Sequence, residues 1–295
     1  MNISFEYYRI FYYVAKYENI TKAAMVLKSS QPNVTRIIHL LEDQLDCRLF
    51  LREPRGLKLT EEGKRLYDHV AIACQHLLDA EAELCWNKNI CSGTIELGVT
   101  ETALHLFLLK HLHGFQQKYS DIKIRIQNNT TPEILKALIN GRLDLAIVTT
   151  PFELNDTFAC EDLMTFREVP AGGSEYRALA DHPMSLKEFR FHSIIGLGYG
   201  TASYEYYRKV FMEQKLDYEP AMEVATADLV IPLLQNNLGV GFIPEPLASP
   251  FFEDQSLVPL SLNVPLPSRD VKMLWDKSLS QSRAAATFCD YLRSL

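Results

Sequence analysis

The chain has no run of about 18 apolar residues, so no segment reads as a membrane-spanning helix. Its N-terminus also lacks the shape of a signal peptide. Glu6 and Arg9 interrupt the apolar residues there, and no small-residue cleavage site follows. A cytoplasmic protein is expected. None of the six cysteines forms a CxxC pair, which argues against zinc-ribbon and thioredoxin-type chemistry. Cys47, Cys74, Cys85, Cys91, Cys160 and Cys289 read as free thiols that behave as small hydrophobes. GxSxG, HExxH and phosphate-loop motifs are missing too. In Gly196-Leu197-Gly198-Tyr199-Gly200, Thr201 stands where a dinucleotide fingerprint needs its third glycine. His105, His111 and His113 fall on one predicted helix beside Glu101, but without a Cys or further carboxylate near by they read as ordinary helix residues and no metal is expected. No cofactor is implied, and nothing marks an enzyme. Positive charge is short as well. The 30 Lys+Arg against 37 Asp+Glu leave a net −7, which taken alone points away from nucleic acid.

What is present changes that picture. With 295 residues and 47% hydrophobic content, the chain can build two or three packed domains. Its charge is unevenly spread: residues 1–65 hold 11 basic and 8 acidic side chains, a balance of +3, whereas the rest hold 19 and 29, a balance of −10. Such asymmetry hints at a nucleic-acid-binding segment joined to something else. Phe5, Tyr8, Phe11, Tyr12 and Ala15 recur at helical spacing. Asn19 or Thr21 can cap a second helix bearing Ala23, Ala24 and Leu27. Ser30 can cap a third, with Pro32 in its first turn, where a missing N–H costs nothing. Val34, Ile37, Ile38 and Leu41 face inward on it, leaving Gln31, Asn33, Thr35, Arg36 and His39 outside. Two short helices around a tight turn describe a helix-turn-helix. Phe50 to Thr60 adds a hairpin-like wing with Arg52, Arg55 and Lys58.

From Glu61 a long helix follows, in which Leu66, Val70, Ala73, Leu77, Ala80 and Leu84 step in a heptad rhythm. This predicts pairing with a second helix; packing on the helix's own domain is the alternative. Beyond Gly93, strands are expected at Thr94–Val99, Lys123–Asn128, Leu143–Val148, Ser193–Leu197, Leu238–Ile243 and Val271–Trp275. Helices fall between them, which predicts parallel sheets covered by helices.

Residues Asn19 to Ala24, Ser30-Gln31-Pro32-Asn33-Val34-Thr35-Arg36, Leu40-Leu41-Glu42, Arg48-Leu49-Phe50 and Leu59-Thr60-Glu61-Glu62-Gly63 together resemble the winged helix-turn-helix of LysR-type transcriptional regulators. The resemblance continues through Gly141-Arg142-Leu143-Asp144-Leu145-Ala146-Ile147 and Gly239-Val240-Gly241-Phe242-Ile243-Pro244, and covers essentially the whole chain. It implies a winged helix-turn-helix in residues 1–60, a linker and dimerisation helix in 61–90, and an α/β effector domain in 91–295. That last domain is similar to type II periplasmic binding proteins, with residues 92–162 plus 268–295 in one subdomain and 163–267 in the other.

The implied partner is double-stranded DNA carrying an interrupted inverted repeat, read by a homodimer or homotetramer through Thr21, Ser30, Gln31, Pro32, Asn33, Thr35 and Arg36, with the wing at Arg52 and Arg55. Leu66, Val70, Ala73, Leu77 and Leu84 would carry dimerisation. Ligands of such sheets lie at the carboxyl ends of strands, near helix N-termini. The hydroxyls and free N–H groups there suit a small polar or anionic metabolite. The candidates are Thr100, Glu101, Thr102, Thr130, Thr149, Gly198, Thr201, Ser203 and Thr226. The same residues can serve as plain helix caps. No Arg falls at these strand ends, although Arg177 and Arg208 could approach, and Glu101 would suit an amine. A cysteine-based redox sensor of the same family, a cytoplasmic solute-binding protein and an enzyme are the alternatives.

Overall fold

The computed structural model describes residues 3–53, 56–85, 93–279 and 281–295. The chain forms two compact units, Met1–Lys88 and Asn89–Leu295. In the first, α1 (Phe5–Tyr17) buries Phe11 and Val14 completely against α2 (Ile20–Val26) and α3 (Gln31–Leu45). The fully buried Ala23 and nearly buried Ala24 let α2 approach closely, and Val34 and Leu41 of α3 close the core. Asn19, rather than Thr21, caps α2 by accepting the Lys22 N–H at 3.0 Å. Strands β1 (Phe50–Glu53) and β2 (Gly56–Leu59) pair antiparallel as the wing.

Helix α4 (Glu61–Cys85) then begins on the wing. Its Gly63 lies so close to Leu49 that an added Cβ would sit 2.2 Å from that residue's carbonyl oxygen. The heptad seam divides along its length. Leu66 and Val70 pack into the unit's own core alongside Tyr67, whereas Ala73 and Leu77 remain exposed. Val70 is buried in the same core as the inner faces of α1, α2 and α3. Arg55 and the side chains of Arg52, Ala80 and Leu84 lie outside the described residues.

The second unit contains two five-stranded sheets. The first is built from β3 (Gly93–Val99), β4 (Ile122–Asn128), β5 (Leu145–Thr149) and β6 (Phe158–Phe166), together with β12 (Arg269–Asp276) near the end of the chain. A continuous helical segment follows β3, comprising α5 (Glu101–Ala103), a π-helical turn (Leu104–Leu108) and α6 (Leu109–Lys118). Helices α7 (Thr131–Ile139) and later α12 (Arg283–Arg293) complete the cover. Leu97, Ile147 and Met273 pack toward α6 and α12, while Ala146, Val148 and Leu274 pack toward α7.

The other sheet takes β7 (Glu168–Gly172), β8 (Ile194–Leu197), β9 (Met222–Val224), β10 (Val240–Pro244) and β11 (Val258–Pro259). It is flanked by α8 (Leu186–Phe189), α9 (Ala202–Glu213), α10 (Val230–Gln235) and α11 (Glu245–Glu253).

Both sheets are mixed rather than parallel. β12 runs antiparallel to β5 and β6, and β7 antiparallel to β10 and β11. The chain returns to the first sheet directly through β12, without a covering helix before it, and strand–helix alternation says nothing about such a return. Strands β6, β7, β9 and β11 were not expected from the sequence. Mixed burial and the charged pair Glu161-Asp162 mask the periodicity of β6. Because Phe166 still pairs with Arg269, the first subdomain runs past residue 162 and the chain crosses at Arg167.

Candidate functional site

At the head, Ser30 accepts the Asn33 N–H at 3.4 Å and so opens α3. Asn33 in turn donates to Ser29 Oγ at 3.0 Å and accepts from Arg36 Nη2 at 3.0 Å. These contacts hold Arg36 along the first turn of α3. Gln31, Pro32 and Arg36 are exposed, Asn33 and Thr35 are half-buried, and Thr21 is exposed on α2. Buried Glu42 anchors the wing from below: its carboxylate accepts from the Leu49 N–H at 2.8 Å, the Phe50 N–H at 3.3 Å and Arg48 Nη1 at 2.8 Å. Burial alone would raise its pKa, but these donors together hold it below the ordinary carboxylate value.

In the second unit, the carboxyl ends of β3, β4 and β5 face those of β8 and β9 across a cleft holding a cavity of about 230 Å³. Thr100, Glu101, Thr102, Thr130, Thr149, Thr201, Ser203 and Thr226 all line it; Gly198 does not. Some of these hydroxyls are already committed. Thr201 donates to Gly198 O at 2.9 Å and accepts the Tyr204 N–H at 3.1 Å, capping α9. Thr130 forms a capping box with Glu133. The hydroxyls of Thr100 and Thr131, both more than nine-tenths buried, have no hydrogen-bond partner among the described residues. Buried hydroxyls without partners are uncommon in folded proteins.

Arg269 is the residue the sequence did not disclose. It is 1% exposed at the base of the cleft, stacked between the Phe166 and Tyr206 rings with its guanidinium carbon 5.4 and 5.0 Å from their centroids. Nη1 donates to Glu168 at 2.5 Å and to Ser203 Oγ at 3.1 Å. Nη2 donates to Thr149 Oγ1 at 3.2 Å, and Nε to Thr150 O at 2.7 Å. One side chain thus ties the end of β5 to β7 and α9 of the other subdomain. It also sets the polarity of the cleft. With Arg269 donating to the Thr149 and Ser203 oxygens, their own O–H groups are left to donate elsewhere. Arg177 and Arg208, by contrast, do not line the cavity, and Arg208 pairs with Glu205 at 2.7 Å. The available signal was opposite charges, Glu168 and Arg269, at the two points where the chain crosses between subdomains.

Glu101 stands at one wall, with Oε1 accepting from His105 Nε2 at 2.8 Å and Oε2 from Asn128 Nδ2 at 3.0 Å. Among the described residues no group of His, Cys, Asp and Glu is arranged to hold a metal, and no helix is long and apolar enough to cross a membrane.

Comparison with known proteins agrees with this architecture. The sequence profile of the bacterial regulatory helix-turn-helix protein, lysR family, matches residues 5–64, and that of the LysR substrate binding domain matches residues 91–295. The uncharacterized HTH-type transcriptional regulator YvbU of Bacillus subtilis is 25% identical over 97% of each chain. BudR of Raoultella terrigena, also an HTH-type transcriptional regulator, is 31% identical over 64% of this chain and 60% of its own. The crystal structure of HinK, a LysR family transcriptional regulator from Pseudomonas aeruginosa, shares the fold with a TM-score of 0.58, at 24% identity over 99% of this chain and 98% of that one. Profiles matching the head and the whole second unit, in that order, establish that the chain belongs to the LysR family of transcriptional regulators.

Proposed function

We propose that this regulator reads an interrupted inverted repeat in double-stranded DNA through the first turn of α3, and that a small polar or anionic metabolite in the hydroxyl-lined cleft modulates that binding. Gln31 and Arg36 would meet base edges, with Pro32 against a thymine methyl. Thr21, Ser30, Asn33 and Thr35 would serve phosphates, aided by the N-terminus of α3, as would Arg52 and Arg55 of the wing. One recognition helix buries too little surface to select a site, so two or more copies are needed. The exposed Ala73 and Leu77 support pairing along α4.

The observation that carries the effector reading is the donor-rich floor of the cleft. The Thr100 and Thr131 hydroxyls have no partner among the described residues, and Arg269 donates to the Thr149 and Ser203 oxygens, which leaves their O–H groups to donate elsewhere. A carboxylate, phosphate or sugar oxygen would satisfy them. Among the described cysteines a redox reading is not favoured, because burial pushes the thiols of Cys47, Cys74 and Cys160 up, and that of Cys289 to about 11; Cys91 and the side chain of Cys85 lie outside the described residues. A protonated thiol is a poor nucleophile.

The test is a thermal-shift screen of the full chain against short carboxylic acids, sugar phosphates and neutral sugars, repeated with Thr100→Val. A metabolite at about 100 times its Kd adds about 2.7 kcal/mol, or roughly 5–10 °C. Thr100→Val should abolish that gain without lowering the unliganded Tm, since the hydroxyl it removes has no partner. Full stabilisation retained in the variant would reject the cleft as the site.

A further inference from the structure

A second cavity of about 390 Å³ lies over the carboxyl end of β10 and against α10 and α11. Its walls are mostly apolar, with Ile231, Pro232, Ile243, Leu247 and Phe251 among them. Glu101, Thr102 and His105 face it from one subdomain, Asp228 and Gln235 from the other, and no Lys or Arg lines it. Asp228 is exposed and has no ion-pair or hydrogen-bond partner among the described residues.

Glu101 joins this cavity to the hydroxyl-lined one. Glu101 and Thr102 line both. Oε1 of Glu101 is held by His105, which lines only the apolar cavity, and Oε2 by Asn128, which lines only the hydroxyl-lined one. A single carboxylate is therefore tied to a side chain from each side. His105 belongs to the π-helical turn Leu104–Leu108, a widening of the helix that recurs at functional sites.

We propose that the apolar cavity is a second ligand site, for a small apolar amine, whose occupancy is transmitted to the first cleft through Glu101. The apolar walls suit a ring or branched alkyl body, and the volume lies within the roughly 300–1,000 Å³ of small-molecule pockets. An ammonium finds Glu101 and the unpaired Asp228. A carboxylate would face both, with no Lys or Arg in the wall to offset them. Displacing His105 from Oε1, or drawing Glu101 toward the amine, changes the hold on Asn128 and hence the wall of the first cleft. This site stands whether or not the hydroxyl-lined cleft holds a metabolite.

The test is methyl NMR of the full chain, labelled at Ile and Thr methyls and titrated with phenethylamine, with phenethyl alcohol and phenylacetate as neutral and anionic controls. The Ile231 and Ile243 methyls should shift with the amine, and the Thr100 and Thr149 methyls should follow with the same midpoint. Asp228→Asn should weaken the amine by about fivefold and leave the alcohol unchanged. His105→Leu should still its effect on Thr100 and Thr149 while Ile231 continues to respond. The site is overturned if Ile231 and Ile243 do not move at millimolar amine, or if only the Thr100 and Thr149 methyls move. The amine class is overturned if phenylacetate binds as tightly. The coupling is overturned if Thr100 and Thr149 remain still in the unmodified chain.

Discussion

Replacing Arg269 by Met should be among the most damaging single changes in the second unit. The guanidinium is 1% exposed and neutralises Glu168, whose side chain is equally buried. Removing it strands a buried carboxylate whose near neighbours include the Tyr206 and Tyr207 side chains. Breaking a buried pair in this way costs about 3–5 kcal/mol. For a unit of this size each kcal/mol lowers the Tm by about 2–4 °C, so a fall of roughly 6–20 °C is expected. Removing both charges should behave differently. Arg269→Met combined with Glu168→Leu exchanges the pair for apolar packing, which is often neutral. The Thr149 and Ser203 hydroxyls it releases border the cleft, where water can reach them. The double variant should therefore be more stable than Arg269→Met alone by at least about 2 kcal/mol. Calorimetry of the four full-length proteins measures the cycle. Strict additivity, or a loss below about 1 kcal/mol in Arg269→Met, would refute the role assigned to the pair.

Two further predictions concern the head. Gly63→Ala should destabilise it by about 1–3 kcal/mol despite the better helix propensity of alanine, because the new methyl meets the Leu49 carbonyl; calorimetry showing a more stable head would overturn the close approach. The depressed pKa of Glu42 stabilises the head fully above the ordinary value of 4.5, and that contribution is lost as pH falls through the lower folded value. Acid titrations of head unfolding should therefore steepen below pH 4.5 in the parent and flatten in Glu42→Gln, and identical acid limbs would count against it.

Local chemistry in this chain was open to sequence reading, and long-range pairing was not. Ser30 followed by Pro32 marks a helix start from neighbouring residues alone, and the structure places the cap there. Hydroxyls after β3, β5 and β8 could likewise be located from strand ends, and they converge because the two sheets direct those ends at one cleft. Arg269 and Glu168 are 101 residues apart, and only the two crossings bring them together. The heptad rhythm has the same limit: it states that one face of α4 is covered but not by what, and at Leu66 and Val70 the cover is the unit's own core. Gly198 shows the converse limit. It follows a strand toward the cleft, yet its backbone N–H is taken by Val224 O at 3.2 Å and it does not line the cavity.

The most direct test of the central claim is a fluorescence-anisotropy titration of the full chain on a DNA fragment from upstream of its own gene, at two salt concentrations, with Arg36→Ala alongside. The account predicts binding that weakens at least about tenfold between 50 and 200 mM salt, from the loss of phosphate neutralisation. It also predicts that Arg36→Ala binds about fivefold or more weakly at fixed salt, its unfolding unchanged. Equal affinity of the two proteins, or affinity indifferent to salt, would contradict the assignment of α3 as the DNA-reading helix.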